Sequence, residues 1–168
     1  MSLSMYEISV PTFARMLNHL SSILNKAEAH AKATSIEPSE LIAFRFYPDM
    51  WSLAEQVRAA CNFAIRAAGR LSGSAMPQFD GKDDSFEALR QRIAFTLKFV
   101  ESVPRSGFEG SETREIVFPT GDKENRFSGL DYLRNFALPN FYFHVTTAYD
   151  ILRHKGVKLE KQDYLGKV

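Results

Sequence analysis

An all-α fold, a bundle of four helices with one short β-hairpin before the last, is what the sequence predicts. Three observations lead there. Four long segments space their apolar residues three and four apart, the repeat of a single helix face. Proline- and glycine-bearing loops separate these segments, and one of them is long enough to cross the bundle. Only the stretch 114–128 changes to an alternating pattern. Isolated helices of this length are marginal in water, so the four stripes must pack on one another.

The first helix is expected over Pro11–Thr34, with Phe13, Met16, Leu17, Leu20, Leu24, Ala27 and Ala31 on its buried face. Pro11 suits a first turn, where its missing N–H is not needed. A short connecting helix, Glu37–Phe44, ends at Tyr47-Pro48-Asp49. The second long helix starts near Ser52, which with Glu55 has the spacing of a capping box. Its stripe of Leu53, Val57, Ala60, Ala64, Ala67 and Leu71 is mostly alanine, so a neighbouring helix can come close. The crossover loop Ser72–Lys82 follows. The third helix is expected after Asp83 or Asp84 as caps, with Phe86, Leu89, Ile93, Leu97 and Val100 inward, and ends near Pro104. In the hairpin, Ile116 and Phe118 alternate before a turn at Pro119-Thr120-Gly121-Asp122. The fourth helix is expected over Gly129–His154, with Ser128 as cap and Gly156 as stop. Pro139 inside it frees the carbonyl of Asn135 and predicts a kink. The tail from Val157 is expected to be irregular.

A chain of 168 residues, 45% hydrophobic and 24% charged, fits one globular domain, taken as residues 5–168. Met1–Ser4, ahead of a second methionine at Met5, are set aside as a leader. Lys and Arg number 21 against 20 Asp and Glu, a net charge of +1 that gives no electrostatic case for nucleic acid or an anionic membrane. The single cysteine, Cys61, excludes a disulfide framework and a multi-cysteine zinc site. Neither a signal-peptide pattern nor an apolar run of about 20 residues occurs, so a soluble, cytoplasmic protein is expected.

The fourth helix carries the chemistry. Its core-facing series is Leu133, Ala137, Asn140, His144, Ala148 and Ile151, and the two polar members are four apart, one above the other. Buried polar groups need partners. Asn140 and His144 therefore belong either to a satisfied internal network or to a pocket between helices, with Gln56 on the second helix as a third member. None of the four histidines (His19, His30, His144, His154) is four residues from another, and no Glu-x-x-His occurs. Asp150 and His154 read as a surface pair, and His19 and His30 as a solvated flank. Cys61 has nothing basic nearby in sequence to activate it. No glycine-rich phosphate loop or nucleophile elbow is present. Phe136, Phe141, Tyr142 and Phe143 cover more than one helix face, and the second side is expected to meet another copy of the chain in a homodimer.

Several segments resemble a family of uncharacterised bacterial and fungal proteins. They are Tyr6-Glu7-Ile8-Ser9-Val10-Pro11, Tyr47-Pro48-Asp49-Met50, the stretch from Phe136-Ala137-Leu138-Pro139-Asn140 to Tyr149, and Ile151-Leu152-Arg153-His154. This domain of unknown function is placed in the DinB/YfiT-like superfamily of metal-dependent enzymes. The resemblance implies a four-helix bundle of up-down-down-up topology that often dimerises. In the metal-binding relatives one histidine comes from the second helix and two from a His-x-x-x-His on the last. The matching positions here are Ala59, Asn140 and His144, so only His144 keeps a ligand. The expectation is therefore a bundle without an intact metal triad, with a pocket at Asn140, His144, Gln56 and Asp49 for a small polar ligand. The alternative is a thiol-dependent transferase using a divalent metal, Zn or Ni, on His144 with Asp49 or His30.

Overall fold

The computed structural model describes residues 4–166. Four long helices dominate it: α1 (Met5–Thr34), α3 (Leu53–Ser72), α4 (Phe86–Ser102) and α6 (Leu138–His154). The short helix α2 (Pro38–Ile42) lies between the first two. A 3-10 turn, Arg105–Phe108, precedes the antiparallel hairpin of β1 (Glu115–Thr120) and β2 (Lys123–Ser128). Then come α5 (Gly129–Tyr132), a π-helical stretch (Leu133–Ala137), α6, and finally α7 (Lys161–Leu165). Each long helix packs on others of the four, α3 against both α4 and α6. No helix among the described residues is long and apolar enough to cross a membrane.

The alanine face of α3 does what its small side chains allow. Ala60, Ala64 and Ala67 are fully buried between Leu53, Val57 and Leu71. Opposite them stand Phe141, Val145, Ala148 and Ile151 of α6, and Phe13 of α1 meets Phe141 edge-on, with ring centroids 4.9 Å apart. The capping box at the start of α3 is complete: Ser52 Oγ accepts from the Glu55 N–H, and the Glu55 carboxylate accepts from the Ser52 N–H at 2.8 Å. These bonds hold the Glu55 carboxyl below its usual range.

Five local expectations are corrected. α1 begins at Met5, not Pro11, and Ser4, set aside with the leader, is its N-cap, accepting from the Glu7 N–H; Met1–Leu3 lie outside the described residues. Pro11 is tolerated inside α1 because it and Glu7, whose carbonyl it leaves without an N–H, are both on the exposed side. Ser85, not Asp83 or Asp84, caps α4. The hairpin turn is the pair Gly121-Asp122, with Pro119 and Thr120 still in β1. The tail is not wholly irregular: α7 docks on α1, with a Lys26–Asp163 ion pair at 2.7 Å and Arg15 donating to the Leu165 carbonyl.

The helical run Gly129–His154 is present with Ser128 as its cap. Pro139 acts on it as a widened turn just ahead of the ring, where the Leu138 N–H reaches back five residues to the Leu133 carbonyl. Phe136, which projects from this stretch, is covered from within the chain by Phe118, Phe127 and Tyr132. The hairpin therefore shields much of the aromatic side that the sequence assigned to a partner copy.

Candidate functional site

The segment ahead of α3 delivers Trp51 to α6. The Met50 N–H closes a turn onto the Tyr47 carbonyl, Arg45 donates to the Met50 carbonyl and pairs with Glu55, and the Leu53 N–H donates to the Phe44 carbonyl. Trp51 thus lies flat against His144, with ring centroids 5.3 Å apart and planes at 19°. Phe63 of α3 also stacks on the imidazole, at 5.5 Å and 21°. Phe143 meets its edge. His144 is 6% exposed among these rings.

One side chain sets the tautomer of that imidazole. Gln56, buried, donates through Nε2 to the Trp51 carbonyl at 3.2 Å, which turns its Oε1 toward His144. His144 Nδ1 is 2.7 Å from that oxygen and so carries the proton. Among the described residues Nε2 has no hydrogen-bond partner and is left as an acceptor. Among the described residues the fully buried side-chain polar atom lacking a partner is Ser111 Oγ, so Nε2 is not sealed in. His144 lines a cavity of about 290 Å³ together with Asp49, Met50, Trp51, Gln56 and Phe143. Burial among aromatic rings disfavours the charged form and pushes the His144 pKa down to about 4. At neutral pH the imidazole is uncharged.

Three of the four expected pocket residues therefore meet: His144, Gln56 and Asp49. Asn140 does not join them. It is half-buried, and its amide donates at 2.7 Å to the Phe136 carbonyl, within the turn that Pro139 loosens. The other five residues of the expected face, Leu133, Ala137, His144, Ala148 and Ile151, are buried, and Phe141, rather than Asn140, shares the core with them. His30 stands against Gly156 in a different depression and cannot assist His144. His154 stacks on Phe44 at 5.5 Å instead of pairing with Asp150, and His19 Nδ1 lies 2.9 Å from the Tyr164 carbonyl. Cys61 is sealed in the core, and desolvation pushes its thiol up to about 12, so it is no nucleophile.

The superfamily's metal does not fit these side chains. Ala59 offers no donor atom, the Asn140 amide is bonded to the helix backbone, and His144 has one nitrogen left. Among the described residues no three His, Cys, Asp or Glu side chains come together to hold a metal ion. The sequence reading missed Trp51 and Phe63. An aromatic three residues after Pro48 and another in register with Ala59 were the available signals, but neither alone indicates a stack on a histidine 80 or more residues away.

Comparison with known proteins agrees with the fold. A family model described as "Domain of unknown function (DUF1993)" matches residues 5–165. Among solved structures, the crystal structure of a DinB family member protein from Shewanella denitrificans is 36% identical, with a TM-score of 0.90, and the match covers 97% of this chain and 92% of that one. The DinB-like helical fold implied by the sequence is thus the fold found. No curated protein matches.

Proposed function

The chain belongs to the DUF1993 family, and from that premise we propose that it is a metal-independent binding protein whose pocket at His144 takes a small organic amine. The observation that carries this reading is the fixed hydrogen-bond polarity of the cavity. Gln56 has its amide engaged with Trp51 and its oxygen with His144. Of the side-chain groups lining the cavity, His144 Nε2 and the Asp49 carboxylate are acceptors, and the Trp51 indole N–H is a donor. A ligand seated on the two acceptors brings donors, and the carboxylate favours one that is cationic. Trp51 and Phe143, 49% and 56% exposed, offer apolar and cation–π surface to its body.

Trp51 is the one tryptophan in the chain, so intrinsic fluorescence reports on the pocket directly. Titration with benzylamine is expected to change the emission saturably, and benzoate is expected not to. Asp49→Asn should weaken the amine by several-fold. Equal responses to benzoate, or an amine response unaltered in Asp49→Asn, would defeat the reading.

A second copy of the chain is the proposed protein partner. After the hairpin has covered Phe136, the aromatic surface still open is Phe46, Tyr47, Trp51 and Phe143 around the pocket mouth. Light scattering is expected to give twice 19.1 kDa, and a monomer mass at micromolar concentration would refute the dimer.

A further inference from the structure

We propose that a second cavity, on the outer face of α3, binds the phosphate group of a small organic phosphate ester. The face is written at helical spacing: Arg58, Asn62, Arg66 and Arg70 are four apart and so lie in one row. The crossover loop after α3 folds back beside this row, and α4 adds Arg92. The cavity between them measures about 440 Å³. Four guanidinium groups line it and no carboxylate does. In a chain whose net charge is +1, that is a local concentration of positive charge.

The four arginines are held differently, and the difference defines a site. Arg92, nearly buried, is clamped by Asp83 through two bonds of 2.5 and 2.9 Å and lies over the Phe79 ring at 4.4 Å. Arg70 is fixed by the Tyr132 hydroxyl at 3.1 Å and by the Phe118 ring at 4.0 Å, neither of which neutralises it. Arg58 approaches Asp83 and Glu55 only loosely, at 3.6 and 3.7 Å. Arg66 is exposed and has no carboxylate within ion-pair distance among the described residues. Asp83 and Glu55 thus offset Arg92 and, more weakly, Arg58, and the fork of Arg66, about two turns on from Arg58, remains available for two-point contact with an oxyanion. Asn62, half-buried between them, adds an amide donor.

The shape selects an ester over a bare ion. Ile65, Met76 and Phe79 give one wall of the cavity an apolar surface that inorganic phosphate cannot use. The small volume favours a single small molecule over a polymer. A depression of about 220 Å³ lined by Trp51, Phe63, Arg58, Asn62 and Arg66 lies between this cavity and the His144 pocket, and the charge preferences of the two are opposite.

The test is calorimetric titration with phenyl phosphate, alongside inorganic phosphate and a short oligothymidylate, at low and high salt. Phenyl phosphate is expected to bind more tightly than inorganic phosphate and to weaken as salt rises. Arg66→Gln should weaken it about tenfold or more, with Arg66→Lys recovering part of the loss. Because Arg66 is exposed and unpaired, Arg66→Gln should melt at the wild-type temperature, which separates lost binding from lost folding. Equal affinity for inorganic phosphate overturns the ester specificity. Tighter binding of the oligothymidylate overturns the small-molecule site in favour of nucleic acid. No saturable binding up to about 10 mM, or binding indifferent to Arg66→Gln, overturns the proposal entirely.

Discussion

One helix, α3, carries two polar faces that the protein treats in opposite ways. Toward α6, Gln56 is neutral, buried and fully matched, and the histidine it holds is kept uncharged. On the outer side, Arg58, Arg66 and Arg70 follow over about the next four turns. The surroundings make the difference. The rings of Trp51 and Phe63 stacked on His144 strip water from most of it, and an ion there loses hydration without a counter-charge to replace it. The outer row is reached by solvent, and where it is not, at Arg92, a carboxylate stands opposite. At these two places buried polarity takes two forms, neutral and hydrogen-bonded at His144, charged and paired at Arg92.

The largest expected effect tests the charged form. Asp83→Asn removes the counter-ion of a guanidinium whose side chain is 8% exposed. Breaking a buried pair from one side costs about 3–5 kcal/mol, because the remaining charge stays buried. Chemical denaturation should show that loss. The same treatment of the exposed Arg126–Glu115 pair on the hairpin, as Glu115→Gln, should cost almost nothing. Equal costs would mean that burial is not what separates the two settings.

The next effect tests the neutral form through pH. The folded state holds His144 at about 4, against 6.5 for the ordinary side chain. Between those values the unfolded chain binds a proton that the folded chain refuses, so stability is full above pH 6.5 and falls as pH drops toward 4. The loss is on the order of 2–3 kcal/mol. It should be absent in His144→Phe, which keeps an aromatic against Trp51 and Phe63. A wild-type stability that rose on acidification over this window would reverse the sign and disprove the neutral, desolvated histidine.

How much of this was legible in the sequence depends on the range of the interaction. The capping box Ser52–Glu55, the alanine face of α3 and the hairpin are local patterns, and each stands where the spacing placed it. His144 also stood out, as a polar residue inside an apolar stripe. What the spacing could not give was which of two neighbours at the edge of the stripe, Asn140 or Phe141, turns fully inward: the apolar ring takes the core and the amide stays half-buried on the Phe136 carbonyl. The Trp51–His144–Phe63 stack and the clamp of Asp83 on Arg92 join residues distant in sequence or across a loop, where periodicity is silent. Asp83 looked like a helix cap because caps and ion-pair carboxylates share one residue type, and Ser85, two residues later, had the geometry.

The smallest effect separates the residue that belongs to the pocket from the one that only shares its helix spacing. Gln56→Leu leaves His144 Nδ1–H and the Trp51 carbonyl without partners, a loss of about 1–3 kcal/mol. It also frees the imidazole to change tautomer and turns Nε2 from acceptor to donor, so benzylamine binding should fall with it. Asn140→Ala removes one amide bond to a helix carbonyl that the backbone ladder and solvent can still serve. Its cost should be no more than about 1 kcal/mol, and Trp51 emission and its response to benzylamine should be unchanged. Paired melting curves and fluorescence titrations of the two variants decide the matter. If Asn140→Ala abolished the response while Gln56→Leu preserved it, the pocket would be centred on Asn140 and not on the Gln56–His144 pair.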